Sequence, residues 1–149
     1  MWRLVTRKEI MTNKFYITTP IYYVNASPHI GHSYTTIAAD VLSRFKRRIL
    51  GPEQVRFLTG SDEHGQKIQK AADAVELSAQ SFVDQTSEQF KALWKSLDVS
   101  YDDFIRTTQQ RHVQVVQKSL EILFKKGDIY KGQYEGLYCT PCETFWLEA

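Results

Sequence analysis

Ile17-Thr-Thr-Pro-Ile-Tyr-Tyr-Val-Asn-Ala-Ser-Pro-His-Ile-Gly-His32, continued by Tyr34-Thr-Thr-Ile-Ala-Ala-Asp40, is the stretch on which the fold turns. The β-branched and aromatic run Phe15 to Thr19 predicts a buried strand, ended by Pro20. A loop with Asn25, Ser27 and Pro28 follows. Apolar residues then return at Tyr34, Ile37, Ala38, Val41, Leu42, Phe45 and Ile49, at helical spacing, until Gly51-Pro52 stops them. A strand, a tight loop and a helix therefore meet around His29 and His32. Such a junction favours anions, because unpaired backbone N–H groups and the positive end of the helix dipole face the space above the strand's carboxyl end. Gly31 allows close backbone approach there. Two imidazoles three residues apart can donate to phosphate oxygens as charge builds at phosphorus. The plainer alternative is a capping histidine beside a packed one, and the short motif leaves it open.

The same alternation continues outward. Val55 to Thr59 predicts a second strand, Gly60 to Gly65 a polar turn, and Ile68, Ala71, Ala72 and Val75 one face of a short helix. A longer helix follows Ser78, with Phe82, Val83, Phe90, Leu93, Trp94 and Leu97 as a core stripe. Phe104 to Thr107 reads as a third strand. Thr107 and Gln110 fit a capping box for a helix through Val113, Val116, Leu120, Leu123 and Phe124 to Gly127. Strands alternating with helices argue for a parallel α/β sheet. From Ile129 onward, tyrosines, glycines and two cysteines predict short hairpins in a separate small module.

Composition narrows the function classes. The 149 residues are 42% hydrophobic and 13% aromatic, enough for one domain with a real core. Lys plus Arg exceed Asp plus Glu by only 19 to 17, so any RNA contact must be local. No apolar run approaches a membrane span, and Met1 to Lys8 lacks the apolar core of a secretory signal, which predicts a cytoplasmic protein without membrane partners. Met11 offers a second start, so residues 1–13 read as an extension or a misread start. The chain stops at Ala149 soon after the cysteines and reads as incomplete.

Three segments in order carry a resemblance. The stretch from Ile17 to Asp40 is similar almost residue for residue to the signature of methionyl-tRNA synthetases, which are class I aminoacyl-tRNA synthetases. Phe57-Leu-Thr-Gly-Ser-Asp-Glu-His-Gly-Gln-Lys-Ile68 resembles that family's second-strand motif, and Tyr134-Glu-Gly-Leu-Tyr-Cys-Thr-Pro-Cys142 the opening of its zinc-bearing insertion. The resemblance implies an α/β fold. Residues 14–128 would form the first half of a Rossmann-like parallel-sheet nucleotide-binding domain, and 129–149 the start of a small zinc-knuckle-like insertion. It also implies that ATP, as its magnesium complex, and methionine give methionyl-adenylate, and that the methionyl group then passes to tRNA(Met). On this reading His29, Gly31 and His32 serve the ATP phosphates, and Asp62 meets the substrate ammonium group. Pro20, Ile21 and Tyr23 border the methionine side chain. An apolar wall with an aromatic suits a thioether, though Tyr23 also reads as ordinary core and Asp62 as a turn residue bonding its own backbone. His64 beside Asp62 reads as a residue that orients it.

Cys139 and Cys142 have the spacing of half a four-ligand zinc site, and no Cys or His follows them. The resemblance places zinc in a longer parent. Arg44, Lys46, Arg47 and Arg48 crowd the end of the first long helix, where cations favour the dipole and solvate the surface. Two rival readings remain. Small nucleotidylyltransferases share the His-x-Gly-His segment, but they approach it through a Gly-x-Phe-Asp-type sequence where this chain has Tyr23-Val-Asn-Ala-Ser-Pro28. A fragment that binds nucleotide without turnover is the other. The chain contains no Lys-Met-Ser-Lys-Ser-type loop, so the expectation is that it forms no methionyl-tRNA alone.

Overall fold

The computed structural model describes residues 14–146. The reading of 1–13 as an extension or misread start lies outside the described residues. Strand β1 (Phe15–Tyr23), helix α1 (Ile30–Leu50), strand β2 (Val55–Asp62), helices α2 (Gln66–Asp73) and α3 (Ala79–Ser96), strand β3 (Asp103–Arg106) and helix α4 (Gln110–Lys126) follow in order. The hairpin β4 (Leu137–Cys139) and β5 (Thr144–Trp146) comes next. The first three strands form one sheet in the order β1-β2-β3, both pairs parallel. The expected parallel α/β arrangement is thus present, and antiparallel β4 and β5 realise the predicted hairpin.

Pro20 does not end β1. The strand runs on to Tyr23, and the ladder shifts there: Thr18 faces Leu58, whereas Ile21 faces Gly60, so Thr19 and Pro20 stand against Thr59 alone. One extra residue on β1 makes a bulge, which a proline without an N–H tolerates. The buried Thr19 and Thr59 hydroxyls, 2.7 Å apart, tie the bulge to β2. Nor is β1 wholly buried, since Tyr16 is 61% exposed. Likewise β2 absorbs Gly60, Ser61 and Asp62 from the predicted turn.

The core lies between the sheet and helices α2 and α3. It joins Tyr22, Val24, Ile68, Val83, Phe90, Trp94 and Phe104, with Phe82 and Leu93 packed against it. The predicted α3 stripe therefore holds, apart from exposed Leu97. Helix α1 is different. It starts at Ile30, and its buried residues are Thr36, Ala39, Asp40 and Ser43, whereas Tyr34, Ile37, Val41, Leu42, Phe45 and Ile49 are exposed. Its sheet-facing side is held by polar bonds. Thr36 Oγ1 lies 2.7 Å from the Tyr22 hydroxyl, and Asp40 accepts from the Ser100 amide at 2.7 Å and from Arg44 Nε at 2.7 Å. In α4 the predicted stripe from Val116 to Phe124 is likewise exposed. The periodicity correctly marks helices there, but not which face this chain buries.

The basic end of α1 is largely consumed internally. Arg47 donates to Ser100 O at 2.9 Å and to Asp102 at 2.8 Å, while Arg44 reaches Asp40 and Asp98. This supports the structural reading of that patch over an RNA contact.

Candidate active site

The loop after β1 delivers His29 in an extended conformation as the N-cap of α1. His29 Nδ1 accepts from the Gly31 amide at 3.1 Å, and His32 Nδ1 accepts from the His29 amide at 3.1 Å. The two histidines thus form a reciprocal capping box, in which each ring satisfies one backbone donor of the helix start. Their rings stack with centroids 3.8 Å apart. A Cβ on Gly31 would lie 3.0 Å from the His29 ring, so the close approach the glycine permits is that of this imidazole. The expected nest of unpaired amides is reduced. Gly31 N is taken by His29, and the amides of His32 and Ser33 turn to His29 O.

What remains for a ligand is carried by the side chains. Because both Nδ1 atoms accept, hydrogen-bond logic assigns the proton of each neutral ring to Nε2. The capping and packing alternative and the phosphate reading are therefore compatible, since capping uses only one nitrogen per ring. His32 is also wedged against Tyr22 and Phe90, with centroids at 4.9 and 5.1 Å. Partial burial, followed by the charge of neighbouring His29, lowers the His32 pKa, which keeps a neutral donor at pH 7. Tyr22 fixes this arrangement from below through its hydroxyl, 2.7 Å from both Thr35 Oγ1 and Thr36 Oγ1.

The second cluster stands at the ends of β1 and β2. Tyr23 and Asp62 are cross-strand partners, and the twofold alternation of β1 puts Ile21 and Tyr23 on the face opposite Tyr22. Pro20 and Ile21 are both exposed. Tyr22 is buried in the core, and Tyr23 is partly buried and packs against it, so the core reading of Tyr23 holds in part. Burial and the adjoining Glu143 carboxylate push the Tyr23 hydroxyl up to about 12, so it stays a donor at neutral pH. Among the described residues, no side chain hydrogen-bonds the Asp62 carboxylate. His64 does not orient it, since its Nδ1 lies 3.0 Å from Thr107 Oγ1. Thr107 is not the expected helix cap either. Its hydroxyl accepts from the Glu63 amide at 2.8 Å, and α4 begins after Gln109 without a side-chain cap.

Sequence reasoning missed Glu63. It is 4% exposed, yet Arg106 grips it with Nε at 2.7 Å and Nη2 at 3.0 Å, and Ser61 and Ser87 donate at 2.6 and 2.5 Å. Thr108 donates as well. Burial works to raise the Glu63 pKa; the Arg106 bonds and the hydroxyl donors outweigh it and hold the carboxylate below its ordinary range. The one hint was Arg106 inside the third predicted strand. A buried arginine at the carboxyl end of a parallel strand needs a carboxylate nearby.

Cys139 ends β4 and Cys142 lies in the turn that follows it. The influence of each thiol on the other holds Cys139 below and Cys142 above the usual thiol range. A thiol pair suits zinc, but a tetrahedral site takes four ligands. Among the described residues no third Cys, His, Asp or Glu gathers around them. The pair fits half a site.

A parallel sheet with a histidine-capped helix at its carboxyl edge defines a Rossmann-like nucleotide-binding domain. Comparison with known proteins gives the particular branch. The model for the family described as tRNA synthetases class I (M) matches residues 15–149, and the chain belongs to that family. It is 58% identical over 139 residues to methionine–tRNA ligase of Caldanaerobacter subterraneus subsp. tengcongensis, covering 93% of this chain and 22% of that protein. It is 55% identical over 135 residues to methionine–tRNA ligase of Thermotoga maritima, covering 91% and 21% respectively. The chain thus spans about a fifth of the length of these curated relatives. Among solved structures it matches Mycobacterium tuberculosis methionyl-tRNA synthetase in complex with methionyl-adenylate. The TM-score is 0.84 at 40% identity, covering 91% of this chain and 26% of that one. The family membership favours the synthetase reading over the nucleotidylyltransferase. Among the described residues, no helix is long and apolar enough to cross a membrane.

Proposed function

We propose that this chain supplies one half of an active centre that activates methionine with ATP and passes the methionyl group to tRNA(Met). The observation that carries the proposal is the reciprocal capping by His29 and His32, which leaves two Nε2 donors beside Gly31 at a helix start. In this reading the methionine carboxylate attacks the α-phosphorus, pyrophosphate leaves, and the two imidazoles stabilise the charge that develops on the phosphates. The carboxylate is already a nucleophile, so alignment and charge stabilisation are the protein's main tasks. Magnesium enters with ATP. Asp62, with no side-chain partner among the described residues, meets the methionine ammonium group from a firmly held strand end. Pro20, Ile21 and Tyr23 border its thioether. Residues 14–128 form the half-domain and 129–149 the start of the zinc-binding insertion. Cys139 and Cys142 would hold zinc together with ligands from elsewhere, and zinc would brace the insertion. The enzyme works in the cytoplasm.

The test is a graft. Residues 14–146 replace the equivalent segment of the Thermotoga maritima methionine–tRNA ligase, to which this chain is 55% identical. The graft should support methionine-dependent ATP–pyrophosphate exchange, and His29→Ala or His32→Ala should lower kcat/KM by roughly 10²- to 10³-fold. The 149-residue chain alone should support none. Exchange by the chain alone would sink the half-centre reading, and histidine variants with unchanged exchange would sink the assignment of roles.

A further inference from the structure

We propose that Glu143 is a positioning residue for Tyr23, so that the hairpin turn of residues 140–143 sets the wall of the methionine pocket. The inference rests on the reading of Tyr23 as part of that wall. Four observations meet at this point.

The Tyr23 hydroxyl lies 2.7 Å from Glu143 Oε1 and 2.8 Å from His64 O, across 120 positions of sequence in the first case. A phenol has one proton to donate, and a carboxylate is the stronger acceptor. The second observation is Gly65. Its φ is +120°, and a Cβ there would lie 2.1 Å from the Tyr23 hydroxyl and 3.3 Å from Glu143 Oε1. The chain leaves out a side chain where the phenol and the carboxylate meet.

Lys67, in the first turn of α2, supplies the third. Its Nζ is 3.7 Å from Glu143 Oε2 and 5.7 Å from the centre of the Tyr23 ring, so one cation touches both partners. Beside it, Thr140 Oγ1 donates to Gln66 Oε1 at 3.4 Å, which seats the same turn on the same helix end. The fourth is the Glu143 backbone, with φ at 53°. The left-handed region costs a residue other than glycine about 1 kcal/mol. A glycine or asparagine would serve the turn better, so the glutamate is explained by what its side chain holds.

The consequence is mechanical. Tyr23 sits at the last position of β1 on the face it shares with Ile21, and its ring direction is fixed at the far end by Glu143. Losing the carboxylate leaves the phenol the weaker His64 carbonyl as acceptor and loosens the ring's tie to the turn, without disturbing the sheet or the capped helix. The methionine side would weaken and the nucleotide side would not.

The test uses the grafted synthetase described above. Exchange by the unsubstituted graft establishes the functional reading, and its absence would refute that reading and this inference together. In an active graft, Glu143→Gly, which also relieves the turn backbone, should raise the methionine KM about tenfold, the loss expected for one charge-assisted hydrogen bond. The KM for ATP should move less than about twofold. Glu143→Gln, which retains an acceptor, should recover most of the loss. In a Tyr23→Phe background, Glu143→Gly should add nothing. A Glu143→Gly graft with unchanged methionine KM, an equal rise in the KM for ATP, or effects that multiply in the double variant would each overturn the proposal.

Discussion

The carboxyl end of β2 and the cysteine hairpin both meet Tyr23 at the end of β1, and they are held by opposite means. At the end of β2, Glu63 is buried, gripped by Arg106 in two bonds and by three hydroxyls, with its amide taken by Thr107. In the hairpin, three residues of each strand pair, and both strands lie largely at the surface. Side chains at Tyr23, Gln66 and Lys67 seat it. The contrast separates two ways of presenting a functional group. Among the described residues no side chain binds the Asp62 carboxylate, and its neighbour Glu63 holds the strand end rigid beside it. Tyr23 is instead tied directly to a peripheral turn.

Breaking the rigid side should have the largest effect. Arg106→Leu strips the buried Glu63 side chain of its counter-charge, and removal of one partner from a buried pair costs about 3–5 kcal/mol. Urea unfolding of the 149-residue chain measures it. Asp84, the outer partner of Arg106, has a half-exposed side chain, so Asp84→Asn should cost less than about 1 kcal/mol. Equal losses in the two variants would show that the network is a surface feature and dissolve the contrast.

Acid should sharpen the same point. Glu63 has a folded-state pKa below its ordinary value, so its contribution is fully present above the unfolded carboxylate range near pH ~4.3. It is lost as pH falls through the lowered folded value. Asp40 behaves in the same direction, burial opposing and the Ser100 and Arg44 bonds prevailing. The urea midpoint should therefore fall between pH 7 and pH 3, and Glu63→Gln should shrink that fall, leaving the part due to the other lowered carboxylates, Asp40, Asp84 and Asp103. A Glu63→Gln variant with the full acid loss would show that Glu63 contributes nothing to it.

How far the sequence revealed this contrast depends on which physical signal it carries. The capped helix, the parallel order and the α3 stripe were legible, because apolar periodicity and the Gly51 and Gly127 stops act locally. The bulge at Pro20 was not, since a proline breaks a strand in one register and bends it in another, and only the partner strand decides. The outward faces of α1 and α4 misled for a related reason. Periodicity says that a helix has an apolar side, not what covers it. His29, His32, Asp62 and Tyr23 were nameable because they lie in contiguous motifs. Glu63 with Arg106 and Tyr23 with Glu143 were not, because each pair is closed by the fold across distant positions.

The smallest expected effect lies on the hairpin side. Cys139→Ser with Cys142→Ser should change the urea stability of the metal-free chain by less than about 0.5 kcal/mol. Neither thiol lies in the core: Cys142 is exposed and Cys139 is half-buried at the hairpin surface. A two-stranded hairpin is marginal by itself, so what seats this one on the body must be the contacts at Tyr23, Gln66 and Lys67. Those contacts use Glu143 and Thr140, which the double substitution leaves intact. Nuclear magnetic resonance of the Gly65 amide, which lies under the Tyr23 hydroxyl, gives the local readout and should hold its shift in the double variant. A stability loss above about 1 kcal/mol, or a displaced Gly65 amide, would mean that the thiol pair itself shapes the turn. The hairpin would then be as firmly determined as the end of β2, with the cysteines in the place of Arg106.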